Sequence, residues 1–450
     1  ECDGYTIEKS VPDLVVFPTS TEQVSQIVKV CNRHQVPFVP RGAGTSLAGG
    51  TLAVGGGVMI CLTRMKRILE INVPERYAVV EAGVVNVWLT RALAGTGMHY
   101  APDPSSQTAC TLGGNVGTNS GGPHTLKYGV TVNHVLGVTL VMPDGSIVQT
   151  GGATEDNPGY DLTGLIVGNE GTFGICTEVV VKLTRDPEGG RTLLAVFETV
   201  EAATETVSGI IAEGIVPAAL EMIDNLIIRA LEERYQFGFP TDAGAVLIIE
   251  VDGLEAAMEH EAEAISAIVR RHGGEVQRRI AWKTRKEPEY VAIWKCRKSA
   301  FGAIGRLSPA FCTQDGVVPR TKLPEILKVI LDVGQRLGIR VANVFHAGDG
   351  NIHPILLFDD RDPEQVQRVL EASHQILQTC IDFGGSVTGE HGIGVEKIAF
   401  MTKLFTSEDI AVMESLRNVF NPEGRCSPEK LLPLGAGCIE RKHPGRKASA

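Results

Sequence analysis

Pro40-Arg41-Gly42-Ala43-Gly44-Thr45-Ser46-Leu47-Ala48-Gly49-Gly50 follows directly on a short β-type run at 38–39, and its reading decides the fold. Leu47 stands where a G-x-G-x-x-G fingerprint needs its third glycine, so a Rossmann dinucleotide site is unsupported. Residues without bulky side chains let successive backbone N–H groups curl around an anion. Thr45 and Ser46 add hydroxyl donors and Arg41 adds positive charge, which together describe a phosphate cradle. A glycine-rich turn packed against a sheet is the plain alternative, and this stretch alone leaves both standing.

Two further clusters follow in order. Pro102-Asp103-Pro104-Ser105-Ser106 leads into Thr111-Leu112-Gly113-Gly114-Asn115-Val116-Gly117-Thr118-Asn119-Ser120-Gly121-Gly122, and no charge occurs after Asp103. So long an uncharged Gly/Asn/Ser/Thr stretch between strands reads as a functional loop, because structureless connections of this length are otherwise uncommon. Its backbone groups and amides suit a flat ring with a polar edge. The third cluster is Gly168-Asn169-Glu170-Gly171-Thr172-Phe173-Gly174-Ile175, leading into a strand. These clusters hold 12 glycines of an unusual total, 51 in 450 residues.

The remaining composition narrows the class. Hydrophobic residues at 43% and charged residues at 21% are those of a globular chain, not a disordered one. A formal net charge of −11 argues against general nucleic-acid binding, which needs a basic footprint. The 10 cysteines include no C-x-x-C pair, so they read as buried thiols of a reducing compartment, with no iron–sulfur site. The charge-free stretch 42–63 is broken by glycines and is no membrane span. No signal peptide is visible, and a first residue of Glu1 suggests that a natural N-terminal segment is missing. A cytoplasmic location follows, with any membrane association only through partners. Gly-Lys never occurs, excluding a Walker A loop, and Gly384-Gly385-Ser386-Val387-Thr388 ends in Thr, not the Gly of a nucleophile elbow.

Periodicity divides the chain. Strands are expected at 14–17, 38–39, 58–62, 78–82, 135–141 and 175–183, and a helix at 21–34 with Ser20 or Thr21 as N-cap. Pro143-Asp144-Gly145 is a hairpin turn. From about 191 the pattern changes to strands at 192–198, 245–251, 317–318, 340–345 and 355–358, with helices at 201–213, 254–272, 322–337 and 363–383. This describes an α+β domain with an antiparallel sheet. Strand–helix–strand recurs within it, but no repeat of fixed period stands out. The region 405–420 reads as helical, and 435–450 is expected to fray.

A second group of residues carries chemistry. His346-Ala347-Gly348-Asp349-Gly350-Asn351-Ile352-His353 lies between two strands, and a tight turn there brings both imidazoles to facing strand ends. Gly389-Glu390-His391-Gly392-Ile393-Gly394 offers a carboxylate between flexible glycines. Two His and one carboxylate form a catalytic-metal set with open positions. Asp349 is a rival ligand, although a tight-turn role suits it equally, and His391 points differently and stays free as a base. The plain alternative makes Glu390 a surface charge and His391 a core-edge imidazole.

The three glycine clusters, in this order over roughly 11–190, resemble the flavin-binding domain of the vanillyl-alcohol-oxidase/PCMH family. The resemblance implies that Pro40, Arg41, Gly42, Ala43, Gly44, Thr45, Ser46, Gly49 and Gly50 hold the pyrophosphate. By the same resemblance Pro104, Ser105, Thr111, Gly113, Gly114, Asn115, Gly117, Thr118 and Asn119 face the flavin ring and ribityl chain. Gly168, Glu170, Gly171, Gly174 and Ile175 fall on the adenine side, and Asn421 is counted with the cofactor residues. Family members that attach FAD covalently often carry His in the first loop; Thr45 stands there, so noncovalent FAD is expected. The C-terminal half resembles FAD-linked D-2-hydroxyacid dehydrogenases, especially the glycolate-oxidase D-subunit type.

The resemblance implies an α+β architecture: a two-subdomain PCMH-type FAD-binding domain at 1–190, a ferredoxin-like substrate- and metal-binding cap at 191–404, and a helical segment at 405–450 returning to the flavin domain. It makes His346, His353 and Glu390 ligands of a divalent metal, zinc ahead of manganese or iron. It makes His391 the catalytic base and Arg297 a carboxylate-binding residue. A short D-2-hydroxy acid, glycolate first, is then oxidised to the 2-oxo acid, with proton abstraction by His391 and hydride passing to flavin N5. A D-lactate dehydrogenase of the same fold, or a flavin-binding subunit without its own activity, is the alternative. Electrons are expected to leave to an iron–sulfur partner subunit or a quinone. There are two departures from the family pattern. Phe311-Cys312-Thr313-Gln314-Asp315 lacks the Lys that holds a distal carboxylate, and the closing Asn-Pro-Gly-Lys appears as Ser427-Pro428-Glu429-Lys430.

Overall fold

A short stripe of apolar residues starts the fold. In the computed structural model, which describes residues 3–154 and 158–433, the helix Thr21–Arg33 buries Val24, Val28 and Cys31, and the Ser20 side chain caps it by accepting from Gln23 N. The glycine- and cation-rich end at 435–450, Cys2 and Cys438 lie outside the described residues. The eight described cysteines are free thiols. No helix among the described residues is long and apolar enough to cross a membrane.

That helix packs on a three-stranded parallel sheet, ordered Leu14–Val16, Val58–Cys61, Phe38–Arg41. Its cluster continues through Met65, Ala82, Val141 and Ile175 into a second, five-stranded antiparallel sheet. The order there is Ile68–Asn72, Tyr77–Glu81, Ile175–Lys182, Val135–Val141, Ile147–Gly151. The expected turn at Pro143-Asp144-Gly145 joins the last two strands as a hairpin.

The second glycine cluster departs from expectation. Half of it is a helix, Leu112–Thr118, capped by the Thr111 hydroxyl, which accepts from Gly114 N. Glycine here serves close packing: a Cβ on Gly113 would come within 2.5 Å of the Ala82 Cβ on the sheet below. A composition that suggests a loop is thus satisfied by a helix lying nearly on the sheet backbone.

The second region is built on an eight-stranded sheet in which every observed pairing is antiparallel. The order is Glu275–Trp282, Gly190–Phe197, Ala245–Asp252, Ala219–Asp224, Arg340–His346, Asn351–Phe358, Ala310–Thr313, with Gly316–Val317 also paired to Asn351–Phe358. Helices Val200–Ala212, Glu255–Arg271, Leu323–Leu337 and Pro363–Asp382 cover one face, and Asn225–Tyr235 and Pro288–Ile304 cover the other. Double coverage explains why Ala245–Asp252 and Asn351–Phe358 are buried at every position and do not alternate.

The recurrence in the sequence has a structural basis. Residues 190–282 run strand, helix, strand, helix, strand, helix, strand, with the fourth strand beside the first and the third beside the second, as in a ferredoxin-like unit that carries the extra helix Asn225–Tyr235 between its second and third strands. Residues 316–386 repeat the plan, Ser386 bridging Val317 where a fourth strand would lie. The two units join edge to edge at Ala219–Asp224 and Arg340–His346, in a register that sets Glu221 opposite His346.

Beyond helices Ile398–Leu404 and Ser407–Phe420, the chain returns to the first sheet. Phe38 N donates to Arg425 O at 2.9 Å, Ser427 N donates to Phe38 O at 2.9 Å, and the Phe173 and Phe420 rings stack at 4.5 Å.

Candidate active site

The three glycine clusters and the histidine-bearing strand ends face one another across a cavity of about 470 Å³. Pro40–Ser46 and Gly50 come from the first cluster, Pro104, Ser105, Thr111, Gly113, Gly114, Asn115, Gly117 and Thr118 from the second, and Glu170, Gly171 and Gly174 from the third. The opposite wall holds Arg297, His346, His353, Glu390 and His391. Small residues bring backbone directly to the cavity surface, as a long, polar dinucleotide requires.

Five residues expected at the cofactor are not on this wall. Gly49 turns with positive φ against Val395, and Ile175 is wholly buried in the sheet core. Asn119 ends the helix Leu112–Thr118 in the left-handed conformation and accepts from Val132 N through Oδ1. Gly168 turns with positive φ beside it. Asn421 is a pin: its amide donates to Thr172 O at 3.1 Å and Cys426 O at 2.8 Å, tying the third loop to the C-terminal segment. Arg41, expected to add charge to the cradle, donates to Thr51 Oγ1 at 3.0 Å.

Glu390 Oε1 is the meeting point of the opposite wall. His346 Nε2 and His353 Nε2 each lie 3.2 Å from it, and His391 Nε2 lies 4.0 Å away. The His353 nitrogen is buried and has no hydrogen-bond geometry to any partner, so its distance to Glu390 is a convergence and not a bond. His346, His353 and Glu390 can each present a ligand atom within 4.8 Å of the others. A cation suits this point. Burial opposes the charged forms, yet the Glu221 and Glu390 carboxylates hold His346 well above its ordinary range. His346 and His353 likewise hold Glu390 well below its own. Asp349 is not among these three: its carboxylate accepts from Asn351 N at 3.3 Å, as a turn residue does, and lines a smaller cavity behind the triad.

Two buried acids that the sequence reading did not select hold this wall. Glu221 Oε1 bonds His346 Nδ1 at 2.7 Å, and its Oε2 accepts from Arg297 Nε at 2.6 Å. Asp315 Oδ2 accepts from the Thr388 hydroxyl and from the backbone N–H groups of Gly389, Glu390 and His391 at 2.6–3.2 Å. Glu221 at the middle of the apolar strand Ala219–Asp224, whose other acid Asp224 caps the next helix, was the available signal, since an acid is seldom fully buried without a partner.

Arg297 is buried with Nη1 and Nη2 both lacking partners and with its side chain on the cavity. His391 stacks on His353 at 5.0 Å, and its buried Nδ1 has no partner. Burial pushes its imidazole down to about 4, which Asp315 only partly offsets. Lys298, Phe301 and Phe311 complete this end of the cavity. Phe301 follows Arg297 by four residues, one helical turn on Pro288–Ile304, and Lys298 adjoins it.

Known proteins resemble the chain along most of its length. Residues 12–151 match the FAD binding domain model, and residues 186–431 match the model for FAD linked oxidases, C-terminal domain. The chain is 45% identical over 440 residues to glycolate oxidase subunit GlcD of Escherichia coli (strain K12), covering 98% of this chain and 87% of that one. It is 41% identical over 429 residues to GlcD of Bacillus subtilis (strain 168), covering 95% and 90%. It is 32% identical over 431 residues to the mitochondrial D-lactate dehydrogenase [cytochrome] of Arabidopsis thaliana, covering 94% and 74%. The solved structure of p-cresol methylhydroxylase with substrate bound superposes with a TM-score of 0.77 at 16% identity, over 92% of this chain and 88% of that one, a likeness of fold. With a flavin-binding half, an oxidase C-terminal half and this degree of identity along nearly its whole length, the chain belongs to the FAD-linked oxidases and is an FAD-linked oxidoreductase.

Proposed function

We propose that the protein oxidises a short D-2-hydroxy acid, glycolate foremost, to the corresponding 2-oxo acid. The observation that carries this reading is the pair of unpartnered Arg297 Nη atoms in the same cavity wall as His346, His353, Glu390 and His391. Relatives that are glycolate oxidase subunits and D-lactate dehydrogenases support it.

When bound, noncovalent FAD supplies the hydride acceptor and a divalent cation, zinc ahead of manganese or iron, supplies Lewis acidity. Arg297 offers its two free donors to the substrate carboxylate as a planar fork, while Glu221 fixes the guanidinium from behind through Nε. His346, His353 and Glu390 are the cation's ligands. His391 takes the hydroxyl proton at an imidazole nitrogen as the Cα hydride leaves with its electron pair, which balances the conversion of alcohol to carbonyl. Asp315 holds the backbone beneath Glu390 and His391 and so sets the angle of the base.

D-Lactate is the second reading. Phe301 and Phe311, ring centroids 6.4 Å apart, give this end of the cavity an apolar surface suited to a methyl group. A distal carboxylate meets neither a lysine at 311–315 nor a free Lys298, whose ammonium pairs with Asp103 at 3.3 Å. Two-electron reduction requires a downstream acceptor, for which an iron–sulfur partner subunit or a quinone is the proposal.

The test is the anaerobic visible spectrum of the purified protein mixed with glycolate, D-lactate or D-2-hydroxyglutarate. Bleaching by the first two and not the third is expected, with loss of bleaching in His391→Ala and after chelation of the metal. Absence of bleaching with every hydroxy acid overturns the proposal.

A further inference from the structure

We infer that Glu170 is a positioning residue that couples occupancy of the flavin cavity to the placement of Glu390 and His391. The inference deepens the proposed reading, on which the roles of those two residues rest. Glu170 lies in the third glycine cluster, and its residue walls the cavity with Gly171 and Gly174. Its backbone is left-handed, φ 52°, and its N–H donates to Gly117 O at 2.8 Å, fastening it to the second cluster. Yet its carboxylate reaches across to the opposite wall. It accepts from Ile393 N and Gly394 N, both at 2.7 Å.

These are the amides three and four residues beyond Glu390. The loop 389–394 therefore rests on two acids. Asp315, from the second region, holds Gly389, Glu390 and His391; Glu170, from the flavin-binding region, holds Ile393 and Gly394. The fit is close: Gly392 has φ 86°, and a Cβ there would stand 2.7 Å from Glu170 Oε1. The first cluster adds to the same attachment, because Ala48 O accepts from Val395 N at 2.9 Å. The Asp315 support is independent of the flavin loops, whereas the Glu170 support is part of the cavity wall that the dinucleotide must order. Binding that fixes the third cluster fixes the far half of the catalytic loop, and linkage makes the effect reciprocal.

The experiment compares FAD-free and FAD-saturated protein, wild type and Glu170→Gln, by two readouts. Glutamine keeps the shape but removes the negative charge that draws both amides. Amide hydrogen exchange over 389–394 needs no metal. FAD is expected to slow it at least tenfold in the wild type and less than twofold in Glu170→Gln. Zn²⁺ titration of the same samples is expected to show affinity raised by FAD about five- to tenfold in the wild type, with that ratio falling towards one in the variant. Equal FAD protection of 389–394 in wild type and variant overturns the inference, as does no FAD protection in the wild type. FAD-dependent protection that needs Glu170, with no Zn²⁺ binding in any sample, upholds the coupling and refutes the metal reading instead. Flavin fluorescence quenching verifies that the variant is folded and saturated.

Discussion

Glu221 and His346 face each other across the seam between the two halves of the large sheet and share a 2.7 Å hydrogen bond at His346 Nδ1. The carboxylate orients the imidazole from behind, leaving Nε2 aimed at Glu390. Burial would raise the Glu221 carboxyl, but the Arg297 guanidinium and His346 outweigh it and keep it below its ordinary range. One side chain therefore fixes both the proposed metal ligand and the proposed substrate anchor.

Glu221→Gln leaves Arg297 buried without a countercharge. A loss of about 3–5 kcal/mol in unfolding free energy is expected from breaking a buried pair, together with sub-stoichiometric metal. Urea unfolding and metal analysis check this, and an unchanged unfolding midpoint would contradict the ion-pair argument.

Arg297→Lys retains the charge beside Glu221 but lacks the fork. Flavin content is expected to stay at wild-type level while kcat/KM for the hydroxy acid falls by about 10²-fold, close to the roughly 3 kcal/mol of a charge-assisted bidentate contact. Steady-state kinetics beside the flavin absorbance separate the two quantities, and an unaltered kcat/KM would remove Arg297 from substrate binding.

His124 lies buried where the flavin-binding region meets the cap, its Nδ1 3.1 Å from Asp103 and its Nε2 3.4 Å from Glu250, with Arg285 and Lys298 bonded to the same acids. Burial opposes protonation, but Asp103 and then Glu250 outweigh it and raise the imidazole to about 9. A folded value above the unfolded one, about 6.5, means stabilisation that is complete below pH ~6.5 and lost as pH rises through ~9. Wild-type unfolding free energy should decline over that window, and His124→Asn should flatten the decline. Parallel pH profiles for the two proteins would show that the pair does not titrate in this way.

Glu429 is exposed and held at φ 58°, where the closing motif of the family has glycine. A side chain costs about 1–2 kcal/mol in that region, partly offset by the greater chain entropy of glycine. Glu429→Gly should stabilise the protein by about 0.5–1 kcal/mol, read from the thermal midpoint; a lowered midpoint would assign Glu429 a favourable contact.

How far the fold was legible depended on whether local chemistry and final environment agreed. Thr21–Arg33 shows its cap and stripe because one face meets solvent. Leu112–Thr118 hides behind its glycines, which suit packing against Ala82 and not helix propensity. Pro288–Ile304 lacks a clear stripe because it is buried against the sheet on one side and carries Arg297 to the cavity on another. Ala219–Asp224 is interrupted by Glu221, whose partners are 76 and 125 residues away in the chain. His346, His353, Glu390 and His391 announce themselves by residue type, whereas Arg297 enters only through the family resemblance. Asp315, and the partners of Glu221, become visible only when distant strands meet.

The seam between the two ferredoxin-like units carries a consequence for how competence arises. Each unit has its own helices and hydrogen-bonded ladder, yet neither holds the whole of the proposed centre: Glu221 comes from one, His346 and His353 from the other, and Glu390 and His391 from the loop beyond the second. The register that sets Glu221 beside His346 is one condition for it. A slip of one residue would turn the His346 imidazole to the opposite face of the sheet and leave two well-formed but chemically silent modules.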